Sequence, residues 1–254
     1  MSQLTVARPG ADAPRVNKPV NRKAPWPVQF WQSAVGKKWL MALSGIGLWG
    51  FVFAHMIGNL KVYLGKEPDG QYALDVYGEF LRTMFHPILP HHVFVWILRI
   101  GLIGMFALHI VAATSLTRMN RRARPTGYQS TREYVSADFA SRSMRITGVV
   151  ILAYLIFHLF DLSWTGTGAT FQRGHVYMNL VDSLQRPWVA LAYVVGNVAL
   201  TIHLFHGTWS MFQSMGLNNP RYNYIRRLVA VGMSLIVGIP NVLFPILIST
   251  KVVK

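Results

Sequence analysis

Five long apolar runs constrain this chain more than any other feature of its sequence. They extend over about residues 40–60, 93–116, 146–163, 188–211 and 228–248. Each run is long enough to cross a bilayer core of about 30 Å as a helix. In lipid, a helix is the structure that pairs its own backbone N–H and C=O groups. The runs therefore predict an all-α integral membrane protein with five transmembrane helices, spans I to V.

The composition supports the membrane class and narrows the chemistry of the chain. Of 254 residues, 52% are hydrophobic and only 13% are charged. The absence of cysteine excludes disulfides, cysteine-ligated iron–sulfur clusters and covalently attached c-type haem within this chain. A net charge of +16 can indicate nucleic-acid binding. In so apolar a chain, the better explanation is that basic residues concentrate in the cytoplasmic loops of a membrane protein. We expect membrane lipid, and no nucleic acid, as a partner.

The distribution of Lys and Arg predicts the orientation of the spans. We divide the chain into an N-terminal arm, residues 1–36, and a five-span domain, residues 37–254. Basic residues concentrate in the arm, at the start of the five-span domain, and in the II–III and IV–V loops. The I–II and III–IV loops hold fewer, and acidic residues such as Asp161 and Asp182 dilute them. The positive-inside rule then places the N-terminus and the II–III and IV–V loops in the cytoplasm. The C-terminus is expected outside the inner (cytoplasmic) membrane.

The outer loops and the last span carry weaker signals. The pattern of residues 72–84 predicts a short amphipathic helix at the outer surface, with apolar residues on one side. The III–IV loop contains Gly166, Gly168, Gly174 and His175, and is expected to be irregular. Span V holds two prolines and no histidine, so we expect it to pack outside a four-helix bundle formed by spans I to IV.

Each of the first four spans carries a histidine: His55, His109, His158 and His203. His55 and His158 lie late in outward-running spans, whereas His109 and His203 lie late in inward-running spans. The four side chains therefore fall into two layers, an outer pair and an inner pair. In a four-helix bundle of sequential neighbours, span I faces span III and span II faces span IV across the diagonals. Each pair could then clamp one flat macrocycle between two imidazoles.

A repeated spacing in spans I and III supports two layers. Ser44-Gly45 precedes His55 by the same ten-residue offset with which Thr147-Gly148 precedes His158, counted from glycine to histidine. Ten residues of helix rise about 15 Å, so each glycine lies at the depth of the other layer. There a missing side chain lets a bulky ring approach the backbone. The alternative is that these small residues serve helix–helix packing.

Paired imidazoles in lipid favour haem over other interpretations. A single buried histidine is more often bonded to a neighbouring helix, but four histidines in two layers favour bis-histidine ligation of two haems. Zinc or copper would lack donors with two ligands per layer. His206 competes with His203, and could instead contact a propionate or a partner. Arg145 and Lys38 near the inner layer, and Arg99 near the outer layer, could pair with propionates, although interfacial snorkelling explains Arg145 and Lys38 equally well.

The pattern resembles the single-chain, di-haem cytochrome b anchors of succinate dehydrogenases and fumarate reductases. The resemblance covers about residues 38–250. Four pieces of sequence carry it: Ser44-Gly45 with His55 and Asn59, His109, Arg145-Ile-Thr-Gly148 with His158, and His203-Leu-Phe-His206-Gly207-Thr-Trp209-Ser210. It implies that His55 and His158 hold a distal haem b, and that His109 and His203 hold a proximal one. It also favours His203 over His206 as the ligand.

The resemblance implies a function and partners as well. Such anchors hold a flavoprotein subunit and an iron–sulfur subunit on the cytoplasmic face, and they pass electrons between the iron–sulfur chain and membrane quinone, commonly menaquinone. The quinone site is often near the distal haem, where Glu79 and Arg82 could exchange a proton and contact a quinone oxygen. A solvated ion pair on a surface helix explains these two residues equally well.

Two other functions stay open at this point. One is a di-haem cytochrome b anchor of another respiratory complex, such as a hydrogenase, nitrate reductase or formate dehydrogenase. The other is a non-enzymatic transporter or channel with polar groups inside its spans, which would contain no haem.

Overall fold

The structure, a computed structural model, describes residues 24–123, 139–163, 171–217 and 219–253, with the side chains of residues 139–142 excepted. The described residues form eight α-helices and two short 3-10 helices, and no strand occurs among them. The α-helices are α1 (Trp26–Gln32), α2 (Ala34–Asn59), α3 (Ala73–Thr83), α4 (Val93–Ala123), α5 (Phe139–Ser163), α6 (Val176–Leu184), α7 (Pro187–Ser214) and α8 (Asn223–Ser249).

Five of these segments are long and apolar enough to cross a membrane. They are Ala34–Leu64, Val93–Ala123, Ser143–Ser163, Pro187–Ser214 and Pro220–Ser249. Together with the absence of strands from the described residues, this confirms the predicted all-α membrane fold with five spans. Most of the spanning helices extend beyond the apolar runs at one end or at both ends. In α4, for example, Arg121 and Arg122 occupy the last turn, where cations are favoured by the helix dipole.

The first four spans are arranged so that alternate spans face each other. Helix α2 packs along α4, α5 packs along α7, and α2 also contacts α7. Within the part of the chain that the structure describes, α2 has at most marginal backbone contact with α5, and α4 with α7. Spans I and III are therefore on one diagonal of the bundle, and spans II and IV are on the other.

Helix α8 is packed closely against the bundle through α7. Its Gly238 lies against the side chain of Thr201, whose hydroxyl donates to the Asn197 carbonyl at 2.8 Å. Phe244 and Ile248 of α8 join the main buried apolar cluster. Span V therefore lies beside the four histidine-bearing spans, and it also supplies part of the apolar core of the protein.

The connections I–II and III–IV form a packed cap over one end of the bundle. The rings of Tyr72 and Tyr177 stack with their centroids 3.9 Å apart, and the Asp75 carboxylate accepts the backbone N–H of Tyr177 at 2.8 Å. The predicted surface helix appears as α3. The III–IV connection, expected to be irregular, contains α6; Gly174, with a φ of 93°, precedes it. Gly166 and Gly168 lie outside the described residues.

Helical structure is present upstream of residue 40, where the apolar run of span I begins. Residues 1–23 lie outside the described residues, but α1 is helical and α2 already begins at Ala34. Between them, Ser33 caps α2 by accepting the Gly36 N–H at 2.8 Å. A side chain at Gly36 would overlap the Phe30 carbonyl, so this turn requires glycine. Lys37 is buried, and its ammonium group donates to the Trp31 carbonyl at 2.5 Å.

Replacing Gly238 with alanine is expected to destabilise the protein by about 1–3 kcal/mol, because the added Cβ would overlap Thr201 Oγ1 and overpack the α7–α8 contact. Thermal unfolding of the purified protein in detergent measures the loss. Gly232→Ala is the matched control, since a Cβ at Gly232 of the same helix meets open space. Equal melting temperatures for the two variants would contradict the close α7–α8 packing.

Candidate metal centres in the helix bundle

The structure brings the four span histidines together in two pairs across the diagonals of the bundle. The rings of His55 on α2 and His158 on α5 have centroids 6.0 Å apart and planes at 81°. The rings of His109 on α4 and His203 on α7 have centroids 6.4 Å apart and planes at 63°. These are the outer pair and the inner pair that the depth of the residues predicted. His206, the rival of His203, lies three residues further along α7.

The two pairs lie at different depths along the bundle. A Cβ at Gly45 of α2 would lie 3.5 Å from His109 Cε1, and one at Gly148 of α5 would lie 3.7 Å from His203 Cε1. Both glycines therefore adjoin the inner pair, although their own helices supply the outer pair. Ten residues separate Gly45 from His55, so the layers are about 15 Å apart along the helix axis.

Two buried hydroxyl groups hold the inner imidazoles in the same way. Ser44 Oγ is 3.2 Å from His109 Nδ1, and Thr147 Oγ1 is 3.2 Å from His203 Nδ1. Each hydroxyl donates to a carbonyl one turn earlier in its own helix, Ser44 to Leu40 at 2.7 Å and Thr147 to Ser143 at 3.1 Å. Because the hydroxyl proton is used there, the oxygen accepts Nδ1–H of the imidazole. Nε2 then keeps its lone pair for a metal.

The outer pair has aromatic neighbours and a charged network behind it. Phe51 stacks on His55 one turn earlier in α2, with centroids 5.5 Å apart. His158 Nδ1 is 3.2 Å from Tyr193 OH, and that hydroxyl donates to Asp161 Oδ2 at 2.9 Å. The Asp161 side chain is fully buried and forms an ion pair of 3.1 Å with Arg186. Asp161 is therefore an interior group of α5, which corrects its prediction as a loop charge.

The separation of the rings fits a metal ion bound between them. Metal–imidazole nitrogen bonds of about 2 Å place two opposing nitrogens roughly 4 Å apart, and the ring centres roughly 6 Å apart. The two observed centroid distances, 6.0 and 6.4 Å, agree with that geometry. Across the described residues no group of three or more His, Asp or Glu side chains could hold a metal ion. Two protein ligands would suit a metal whose other bonds come from a macrocycle, and Gly45 and Gly148 leave room beside the inner imidazoles.

The remaining residues predicted from the sequence lie around these pairs or on the surface. Arg145 lines a cavity of about 380 Å³ with Thr117, Asn120 and Arg121, at the end of the bundle beyond the inner pair. Arg99 is exposed, and its guanidinium carbon is 5.1 Å from the Trp96 ring centroid. No contact described here joins Arg99 to the outer pair.

Glu79 and Arg82 form an exposed ion pair of 3.2 Å on α3. Their side chains are 60% and 31% exposed, so the geometry matches the surface-pair interpretation as well as it matches a quinone contact. Their role in a quinone site stays a prediction.

Several contacts of the sites were not predicted from the sequence. Thr147 was named with Gly148 in the repeated spacing, but its contact with His203 was not predicted, although it precedes Gly148 as Ser44 precedes Gly45. Asp161 carried a signal too, because it follows His158 by three residues and therefore lies on the same helix face. Tyr193, Ser183 and Arg186 carried none, because their contact with Asp161 depends on how α6 and α7 pack against α5.

The fold and the sites define a class of protein: a multi-pass, all-α membrane protein whose bundle contains two pairs of facing imidazoles. The family model described as succinate dehydrogenase/fumarate reductase transmembrane subunit matches residues 118–239, which include α5, α7 and the larger part of α8. The match covers a little under half of the chain and supports the resemblance to that family stated from its motifs. Comparison with curated proteins and with solved structures gives no match.

Proposed function

We propose that this chain is the membrane-anchor cytochrome b subunit of a succinate dehydrogenase. In this role it carries electrons between an iron–sulfur subunit and membrane quinone through two haem b groups. The observation that carries the proposal is the approach of two imidazole pairs to 6.0 and 6.4 Å across both diagonals of one bundle. The family match supports the same function, since the family comprises the transmembrane subunits of these complexes.

His55 and His158 would hold one haem, and His109 and His203 the other. When bound, haem supplies a centre that accepts and releases single electrons. The protein's part is to fix the imidazoles: Ser44 and Thr147 orient the inner pair, and Tyr193 orients His158. Layers about 15 Å apart along the helices divide the distance across the bilayer into two shorter steps.

Cations near the inner layer suit the propionates of a haem held there. Arg145 lies two residues before Thr147, which contacts His203, and it shares its cavity with Arg121. Buried or half-buried carboxylates require such donors. Arg145 and Arg121 are therefore proposed to pair with propionates of the inner haem. Lys38, His206 and, for the outer haem, Arg99 stay as further candidates from the sequence.

The partners follow from what this chain lacks. It has no cysteine, so electrons must arrive from clusters bound by another chain. A flavoprotein subunit and an iron–sulfur subunit on the cytoplasmic face would supply them, with the basic arm and the II–III and IV–V loops facing that side. The quinone, with menaquinone as the expected type, would react near the outer layer, where Glu79 and Arg82 are the candidate groups.

Fumarate reduction is the second candidate function, because the matched family includes both directions of the reaction. The two are separated by assaying the purified complex. We expect a flavoprotein and an iron–sulfur protein to co-purify with this chain, and succinate to reduce added quinone faster than quinol reduces fumarate. A faster reverse reaction would establish a fumarate reductase. Co-purification with a hydrogenase or nitrate reductase instead would contradict the proposal.

Replacing His158 or His203 with alanine is expected to reduce the haem content from two groups per chain to one. Each change removes one imidazole of one pair and leaves the other pair intact. Haem-to-protein ratio and the reduced-minus-oxidised spectrum measure the loss. His206→Ala on the same helix as His203 is the matched control and should keep two haems. Retention of both haems in His158→Ala and His203→Ala would show that the ligands are other residues.

Ser44→Ala is expected to weaken haem binding at the inner pair by about 10–100-fold, because it removes the acceptor that orients His109. Resistance of each haem to extraction by apomyoglobin measures this, with the outer haem as internal reference. Thr114→Val is the control, since the Thr114 hydroxyl bonds to the Ile110 carbonyl of its own helix. Equal extraction rates for the inner haem in the wild type and in Ser44→Ala would exclude a role for this hydroxyl.

A further inference from the structure

A buried carboxylate, that of Asp161, lies next to the outer histidine pair. Asp161 follows His158 by one helical turn on α5, and its side chain is fully buried. It accepts hydrogen bonds from Ser183 Oγ at 2.5 Å and Tyr193 OH at 2.9 Å. Burying a carboxylate is costly unless it is paired and hydrogen-bonded, and this one is both.

The direction of the hydrogen bonds leads from Asp161 to the imidazole. A carboxylate only accepts, so the Tyr193 hydroxyl donates its single proton to Asp161 Oδ2. Its oxygen, 3.2 Å from His158 Nδ1, must then accept Nδ1–H. This fixes the His158 tautomer whose Nε2 is free to bind a metal. Because the carboxylate polarises the Tyr193 hydroxyl, that oxygen is a stronger acceptor than a hydroxyl that donates to a backbone carbonyl.

Arg186 supplies the opposite charge on the far side of the carboxylate. Its guanidinium bonds to Asp161 Oδ1 at 3.1 Å and to Ser183 Oγ at 2.9 Å, and it lies over the Trp188 ring. The Arg186 side chain is 23% exposed, so its charge is partly screened by solvent, whereas that of Asp161 is not. The carboxylate of this pair is nearer to the outer imidazole and less exposed to solvent than the guanidinium. The pair therefore gives a net negative electrostatic potential at that imidazole.

Among the residues that the structure describes, the inner pair has no buried carboxylate at the corresponding place. There the Nδ1 atoms of His109 and His203 contact the aliphatic hydroxyls of Ser44 and Thr147, which donate to backbone carbonyls. Each layer thus has two histidines, and the layers differ in the groups that the hydroxyls contacting Nδ1 donate to. The difference is a property of this chain's own residues.

We infer that Asp161 is the positioning residue that lowers the midpoint potential of the outer centre, acting through Tyr193 on His158 and opposed by Arg186. This inference rests on the proposed haem at the outer pair. A nearby negative charge stabilises the oxidised, more positive state of the centre, and removing that charge destabilises it. Asp161 and Arg186 therefore shift the potential in opposite directions.

A purely structural role is the alternative. The network joins α5 to α6 and α7, so loss of either Asp161 or Arg186 could loosen the packing around the outer pair. Loosened packing would affect both variants in the same direction, whereas a charge effect gives opposite signs. The sign of the shift therefore separates the two explanations.

The test is an optical redox titration of the whole purified complex carrying Asp161→Asn or Arg186→Gln. We expect the midpoint potential of the outer centre to rise in Asp161→Asn and to fall in Arg186→Gln. The inner centre of the same sample serves as the internal reference and should not shift. Asp182→Asn is the matched control, because Asp182 is exposed on α6 next to Ser183.

Two further variants keep the inference testable if Asp161→Asn fails to assemble. Arg186→Lys retains the charge and should leave the outer potential close to the wild-type value, whereas Arg186→Gln lowers it. Tyr193→Phe keeps Asp161 but removes the hydroxyl, and should change the low-spin electron paramagnetic resonance signal of the outer centre alone.

The outcomes distinguish this inference from the proposed function. A complex without haem at the outer pair would overturn both. Two haems at normal content, with the outer potential unchanged in Asp161→Asn and Arg186→Gln or shifted in the same direction by both, would overturn the role of Asp161 alone.

Discussion

The arrangement of the bundle depends on how polar imidazoles are paired inside apolar spans. In hydrocarbon, a ring nitrogen without a hydrogen-bond partner is costly, because no water is there to form that hydrogen bond. In three of the four span histidines the Nδ1 atom is 3.2 Å from a hydroxyl oxygen: Ser44, Thr147 or Tyr193. Each of these hydroxyls accepts the imidazole proton because its own proton goes to a carbonyl or a carboxylate. The other ring nitrogen is thereby kept as an acceptor.

Spans I and III use one local pattern twice, and that pattern sets the geometry of both layers. A hydroxyl residue, a glycine and, ten residues after the glycine, a histidine place each helix against both layers. The hydroxyl and glycine adjoin the imidazole of a neighbouring helix in the inner layer, and the histidine belongs to the outer layer. The layers differ in that, within the described ranges, the outer one has a buried carboxylate behind it and the inner one has none. One repeated motif thus yields two sites with the same ligands and different electrostatic surroundings.

Span number, helix class and histidine depth could be predicted because each depends on local sequence. Hydropathy over about twenty residues identifies a span, and position within a span gives depth once the orientation is assigned. Helices α1 and α6 were not predicted, because their segments are short, contain polar residues and pack against the longer helices. The Asp161 network was also missed. A charge at the end of a span looks like an interfacial residue, and only the packing of α6 and α7 against α5 shows that Asp161 is buried.

The most direct test of the account is an electron-density or cryo-electron-microscopy map of the complex at a resolution that shows side chains. The account predicts two flat macrocycles in the bundle, one between His55 and His158 and one between His109 and His203. Each central metal should lie about 2 Å from both Nε2 atoms of its pair. Direct imidazole–imidazole contacts, or a macrocycle bound by other residues, would contradict it.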